Sequence, residues 1–409
     1  MQFLTLIIYC IVINQCLNII PFDINEGIKY IGVDDHYDHY QSKIEGPNPV
    51  PNGVSYNSYV IIDDKILIVD GVHEFYHDQW IKNLEKALSG RKPDYLLIQH
   101  MEPDHSGNIK LALNLYPNLK IISSSISFNM MKNFFDYDLE GKKIVMNEGD
   151  ELNLGKHVLH FIKAPMVHWP EVMIAYESYS KTLFSCDSFA KFGANDVEEP
   201  WDDGARRFYF GILAIYGDFV ESLLKKLKNF EIKTILPGHG QIITENINHY
   251  YSLYEKWSKY IPEENGVVII YSTIYGHTKD AIDKLAEKLK SLGVKYVIHD
   301  IEKSHWTQMI ADSFKYNTMI LASVMIDNDI TASMREYLEI IRSFKYQKRR
   351  VGFMENGLWN PNANKIMKDM INDCKDITFL KNSVRIEGSL DEKSISQIND
   401  LAYELVNFK

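Results

Sequence analysis

Paired cysteines are missing from this chain. Its 409 residues include four cysteines, Cys10, Cys16, Cys186 and Cys374, and none stands in a C-x-x-C pair. That excludes a zinc ribbon, a rubredoxin-type iron site and a disulfide framework, and leaves the chain no iron–sulfur centre of its own. Positive charge is short as well, with 44 Lys and Arg against 55 Asp and Glu and a net charge of -11. An acidic balance argues against nucleic acid and anionic membrane surfaces as partners. There is no internal repeat and no low-complexity tract. A good membrane span is also lacking. The most apolar stretch, Phe3 to Ile20, is interrupted by Asn14, Gln15 and Asn18 and is short for a bilayer. It lacks the basic flank of a signal peptide, because no Lys or Arg precedes Lys29. Three readings of it stay open: an extension with an upstream start codon, a cleaved signal, or an anchor or packed segment. The expectation is a cytoplasmic protein with residues 1–23 as an appendage.

What is present fits an ordinary globular protein: 45% apolar, 24% charged and 12% aromatic residues. The length exceeds what one compact core usually holds, so two domains are expected. From residue 24 to 261 the pattern is short strands with turn signals and a few helices. Strands are expected at 28–33, 55–63, 65–70, 94–99, 119–123, 143–146, 157–163, 171–177, 181–186 and 233–237. Helices are expected at 75–90 and, as one long amphipathic stretch, at 205–230. This meander predicts a layered α/β sandwich. IPEENG (261–266) reads as the domain boundary. From 266 to 409, strands at 267–272, 295–301, 318–323 and 349–355 alternate with helices at 279–293, 331–343, 361–372 and 391–407. That alternation predicts a doubly wound parallel sheet.

His100-Met101-Glu102-Pro103-Asp104-His105 follows directly on the apolar run 94–99 and holds four potential metal ligands in six positions. Pro103 argues for a loop at a strand's C-terminal end, from which side chains converge. The plainer reading is a polar turn with Asp104 or Ser106 capping the next helix. His168, Asp187 and His239 each sit at or just past an expected strand end. Singly, they read as a core histidine, a turn residue and a glycine-turn residue. Together the set holds four imidazoles and three carboxylates, which suits redox-active iron better than a nitrogen-rich zinc site.

In the second half, Ser272, Thr273, Ile274, Tyr275, Gly276, His277 and Thr278 lie between an apolar strand and a helix. Hydroxyls and N–H groups at a helix N-terminus make a phosphate cradle. The plainer reading is a Ser/Thr-rich helix cap. Ser323 to Asp329 follows the third strand. Glu355 to Asn360 follows the fourth and offers Asn356, Gly357 and Trp359, the last a ring to stack on an isoalloxazine. No G-x-G-x-x-G opens the domain, so FMN is expected rather than NAD or FAD.

Residues 24–260 resemble the metallo-β-lactamase superfamily, whose hydrolases carry H-x-H-x-D-H. Here Glu102 replaces the second histidine. With a flavodoxin-like half following, residues 24–405 resemble the flavodiiron proteins, also called A-type flavoproteins. The resemblance implies a metallo-β-lactamase-like αββα sandwich followed by a flavodoxin-like domain. It implies one iron on His100, Glu102 and His168, a second on Asp104, His105 and His239, and a bridge by Asp187. It implies FMN as an electron source, an external reductase or small redox protein as donor, and reduction of dioxygen to water, nitric oxide to nitrous oxide, or both. A head-to-tail homodimer or dimer of dimers is implied, with the FMN of one protomer beside the metals of the other. Two departures stand out. SVMIDND (323–329) lacks the proline usual in the family's second flavin loop, and His277 stands where a small hydroxyl or amide residue is usual. His36 and His39 read as surface residues or as neighbours of the substrate pocket. The rivals are a zinc hydrolase with an appended flavodoxin domain and a non-enzymatic electron carrier.

Overall fold

A computed structural model of the chain describes residues 20–36, 51–135 and 139–407. His39 and nearly all of the apolar N-terminal stretch, with Cys10 and Cys16, lie outside the described residues. One compact unit comprises the chain up to Tyr209 together with Asp218–Tyr254; the other comprises Phe210–Gly217 and Glu255–Lys409. The sequence-based boundary at 261–266 therefore falls inside the second unit, overlapping the start of its first strand at Glu264.

The first unit holds two sheets. In chain order its strands are β1 (Phe22–Asn25), β2 (Ile28–Tyr30), β3 (Val33–Asp35), β4 (Val54–Tyr56), β5 (Tyr59–Ile62), β6 (Ile66–Val69), β7 (Tyr95–Leu97), β8 (Lys120–Ser123), β9 (Lys143–Val145), β10 (Glu151–Asn153), β11 (Val158–Lys163), β12 (Met173–Glu177), β13 (Thr182–Cys186) and β14 (Thr234–Pro237). The seven-stranded sheet runs β1-β2-β5-β6-β7-β8-β9 and the five-stranded one β10-β11-β12-β13-β14, with β3 and β4 paired apart. Ile28, Leu67 and Leu97 of the first sheet share one core with Leu159, Phe161 and Phe184 of the second. Trp80 and Leu84 of the helix His77–Leu88 cover the other face of the first sheet. Every residue of β12 and β13 is buried, so both faces of the second sheet are covered too. This is the expected αββα sandwich.

The helix expected over 205–230 is broken. Helix Trp201–Phe208 gives way to a π-helical segment, Tyr209–Leu213, a 3-10 turn, Ala214–Tyr216, and then helix Gly217–Leu227. The break releases Phe210 to stack on Phe314, with ring centroids 4.1 Å apart. Continuous periodicity hid this, because Phe210 packs against a ring distant in sequence.

The second unit adds β15 (Glu264–Tyr271), β16 (Tyr296–Asp300), β17 (Tyr316–Ile326), β18 (Asp329–Ile330), β19 (Arg349–Asn356), β20 (Ile377–Phe379) and β21 (Val384–Ile386). Its sheet runs β16-β15-β17-β19-β20, with β21 also on β19. All pairs are parallel except the hairpin of β17 with β18. The first strand lies between the second and third, as flavodoxin order requires. Strands β20 and β21, helix Trp306–Lys315 and the hairpin were not read from the sequence. In the hairpin, Asp327 and Asn328 both have positive φ, the two-residue turn that right-twisted strands favour. The segment expected as an open loop therefore continues as strand to Ile326.

Candidate metal centre and cofactor cleft

Four of the expected ligands come from one bend after β7. The chain leaves the strand at Leu97, passes His100 and enters a single helical turn, Pro103–Ser106, with Glu102 as N-cap. Proline fits the first helical position, where no N–H is needed. The irregular loop expected there is thus one turn of helix, and it presents Asp104 and His105 side by side. His168 lies between β11 and β12, Asp187 follows β13 directly, and His239 stands two residues beyond β14.

All seven meet, in two groups. Oε2 of Glu102 lies 3.2 Å from Nε2 of His100 and 3.1 Å from Nε2 of His168. Oδ2 of Asp187 lies 3.5 Å and 3.4 Å from the same two nitrogens. Oδ1 of Asp187 lies 3.3 Å from Nε2 of His105 and 3.5 Å from Nε2 of His239. Oδ2 of Asp104 is 3.3 Å from His239 and 4.0 Å from His105. A tetrahedral ion with nitrogen and oxygen ligands at 2.0–2.2 Å has ligand–ligand edges of about 3.4 Å. Asp187 thus offers one oxygen to each group. The carboxylate oxygens of Asp104 and Asp187 and Nε2 of His105 are buried without a hydrogen bond. Polar atoms orphaned in this way need a partner, and a pair of cations satisfies them.

Electrostatics point the same way. Burial opposes ionisation of Asp187, but the imidazoles of His105, His168 and His100 outweigh it and hold the carboxyl well below its usual range. Burial, with Glu102 and Asp187 nearby, raises Asp104 despite His105 and His239. Burial disfavours the imidazolium of His105, yet Asp104, Asp187 and Asp70 raise that ring well above its ordinary value. The carboxylates of the cluster thus favour positive charge beside them.

Residues the sequence reading missed orient the rings. Glu171 accepts from Nδ1 of His100 at 2.7 Å and from the Met101 N–H at 2.9 Å. Asp70 lies 3.1 Å from Nδ1 of His105, and the Ser55 carbonyl 2.7 Å from Nδ1 of His239. These contacts keep the Nδ1 proton outward and leave each Nε2 lone pair facing the group. The available signal was weak: Asp70 as a charged end to an apolar strand, Glu171 three residues after His168. A Cβ at Gly238 would lie 2.6 Å from Cε1 of His105, so only glycine fits there. His36, half exposed, pairs with Asp196 at 2.9 Å and joins neither group.

The second constellation surrounds a cleft of about 580 Å³ in the flavodoxin-like unit. Of the residues read as cofactor-binding, Thr273, Tyr275, His277, Thr278, Asn356, Gly357 and Trp359 line it. Gly276, with φ +94, is the N-cap of helix His277–Ser291, and no side chain caps that helix. Its first N–H groups therefore remain available to an anion. The Thr278 hydroxyl is buried without a partner. Tyr275 and Trp359 are 87% and 77% exposed, flat platforms on the same cleft. This donor set fits a phosphate-bearing ligand with a flat ring. Ser272 and Ser323 do not line the cleft: both are buried, with hydroxyls 3.1 Å apart. The reading missed Val324, Met325, Leu358 and Glu387–Ser389, which line it.

Residues 54–240 match the model of a family described as ODP family beta lactamase. A nitric oxide reductase of Moorella thermoacetica is 27% identical over 366 residues, covering 87% of this chain and 90% of that one. Diflavin flavoprotein A 1 of a Synechocystis species is 31% identical over 261 residues, 62% of this chain. The chain spans only 45% of that protein's length. Among solved structures, rubredoxin oxygen:oxidoreductase of Desulfovibrio gigas superposes with a TM-score of 0.85 at 23% identity, covering 94% of this chain and 97% of that one. That likeness establishes the two-domain fold.

Proposed function

The chain belongs to the flavodiiron protein family of oxidoreductases, and on that premise we propose that it reduces dioxygen to water, nitric oxide to nitrous oxide, or both, at a diiron site supplied by FMN. The carrying observation is Asp187, whose two oxygens each face a separate ligand group, with Glu102 completing one of them. His100, Glu102 and His168 would hold one iron, and Asp104, His105 and His239 the other. Ser272 and Ser323 would support the FMN cleft from beneath; the lining residues would bind the cofactor. Bound there, the irons supply the centre where the gas is reduced, and FMN supplies electrons.

The chain's own residues do the rest. Glu171, Asp70 and the Ser55 carbonyl fix the rings so that no proton blocks an Nε2. Trp169 stands edge-on to the His100 ring at 5.0 Å, and Phe208 lies 5.7 Å from His239. These apolar rings limit water around the ligands. The chain carries no C-x-x-C pair, so the donor is an external reductase or small redox protein; rubredoxin is named for the Desulfovibrio gigas relative. A head-to-tail homodimer belongs to the same proposal.

The test is anaerobic reduction with an artificial reductant followed by rapid mixing with dioxygen or nitric oxide. Fast flavin reoxidation is expected in the natural protein and slow reoxidation in Asp187→Ala. Equal, slow rates in both would overturn the proposal. Steady-state turnover with each gas then ranks the two substrates.

A further inference from the structure

We propose that Glu387–Ser389 forms a third wall of the flavin cleft, at its ring end, and that Asn356 is the positioning residue that holds this wall in place. The inference rests on FMN as the cleft's ligand and adds a contacting segment that the reading itself does not require.

The segment follows β21 and lines the cleft together with Leu358 and Trp359. Asn356 ends β19, and its side chain is committed to that segment. Nδ2 of Asn356 donates to the Gly388 carbonyl at 3.1 Å, and the Gly388 N–H donates to Oδ1 of Asn356 at 3.1 Å. An amide bonded to both polar groups of one residue imitates a strand pairing and fixes the height of the turn. Gly388 has φ +86, and a Cβ there would lie 3.2 Å from Leu358, so the turn packs closely on the loop it is clasped to. Glu387 and Ser389 form a β-bridge across it. Beside the clasp, buried Glu355 accepts from Nε of Arg385 at 2.8 Å and from the Asn364 N–H at 2.9 Å, tying β19 to β21 and to the next helix. The sequence reading made Asn356 a direct cofactor ligand; it lines the cleft, and its side-chain amide also holds the neighbouring segment.

Strand order tells which part of the ligand this wall meets. The phosphate cradle stands over the end of β15. In the order β15, β17, β19, β21 the last strand is three steps away, about 14 Å at the usual spacing. A segment that far from the phosphate meets the ring. Glu387 then sets a negative charge beside the flavin, partly offset by Lys393 at 4.0 Å. Negative charge there disfavours added electrons on the ring.

The test titrates deflavinated full-length protein with FMN and with riboflavin, which lacks the phosphate, and reads fluorescence. Asn356→Ala is expected to weaken both ligands by the same factor, about tenfold. Thr278→Val is expected to weaken FMN alone. A loss in Asn356→Ala confined to FMN, or no loss, overturns the clasp while leaving the flavin reading intact. Failure of the natural protein to bind either ligand overturns the flavin reading itself. Asn356→Ala also removes packing, so a second variant is placed on an exposed side chain. Glu387→Lys is expected to raise the midpoint potential of the bound flavin. An unchanged potential with unchanged riboflavin affinity puts the segment away from the ring and overturns the proposal.

Discussion

Glu171 is buried, and both groups it serves belong to the bend that carries four of the candidate metal ligands. Replacing it with glutamine keeps an acceptor oxygen and nearly the same volume, but removes a negative charge behind His100. The expected result is iron affinity lower by roughly 10- to 100-fold, measured by competition with a chelator, with an unchanged melting temperature in the metal-free protein. Unchanged affinity would mean that Glu171 only fills space. Residue-level legibility divides along the same line. The seven candidate ligands were readable because side chains of metal-binding type recur at strand ends with a spacing no cap needs. Glu171 and Asp70 were not, since a single carboxylate at a strand end has many uses. The Ser55 carbonyl has no sequence signal at all, being backbone brought close by the fold. Ser272 and Ser323 were legible as polar residues near the expected cleft, but not as a buried pair whose hydroxyls meet each other outside its lining.

Elements were legible where one face repeats and illegible where a distant contact overrides local preference. Most of the expected strands came through to within a residue or two at their ends, but 55–63 divides into β4 and β5, and the short strands β1, β3, β10, β18, β20 and β21 were not read. The helix over 205–230 did not, because its interruption depends on partners at 258, 260 and 314. Gly217 records that dependence: a Cβ there would lie 2.4 Å from the Ser258 carbonyl oxygen and 3.3 Å from the Tyr260 ring. Gly217→Ala should gain about 1 kcal/mol of helix propensity and lose about 1–3 kcal/mol to overpacking. The net expectation is a melting temperature lower by a few degrees, read by calorimetry on protein with full flavin and metal content. A rise would mean that the chain yields at Ser258 and that propensity governs this break. The hairpin of β17 and β18 is a second case. Asp327 and Asn328 tolerate the left-handed region, and Arg335 forks onto Asp329 beyond them. Without a proline to stop it, the strand continues.

At the scale of the whole molecule, the order of the two halves carried more information than any single loop. A carboxylate-rich ligand set at strand ends, followed by a phosphate cradle on a doubly wound sheet, predicts two redox sites on one chain. How many chains are needed to join them is a separate matter, since oligomers are built by symmetry operations that a single sequence does not display. The proposed head-to-tail dimer makes a sharp prediction about variants that are inactive alone. Asp187→Ala removes the residue shared by the two ligand groups. His277→Glu places a carboxylate against the phosphate cradle, on a half-exposed side chain that the fold does not require. Each variant by itself should turn over little gas. Co-expressed under two different tags and purified through both, they form a heterodimer. The intact flavin cleft of one protomer then faces the intact ligand set of the other, and the remaining pair is doubly defective. If electrons cross between protomers, the heterodimer should show about half the turnover of the natural dimer. If each protomer serves only its own metals, the heterodimer should be as inactive as its parents. Elution of the natural protein as a monomer would remove the head-to-tail arrangement before the variants are made.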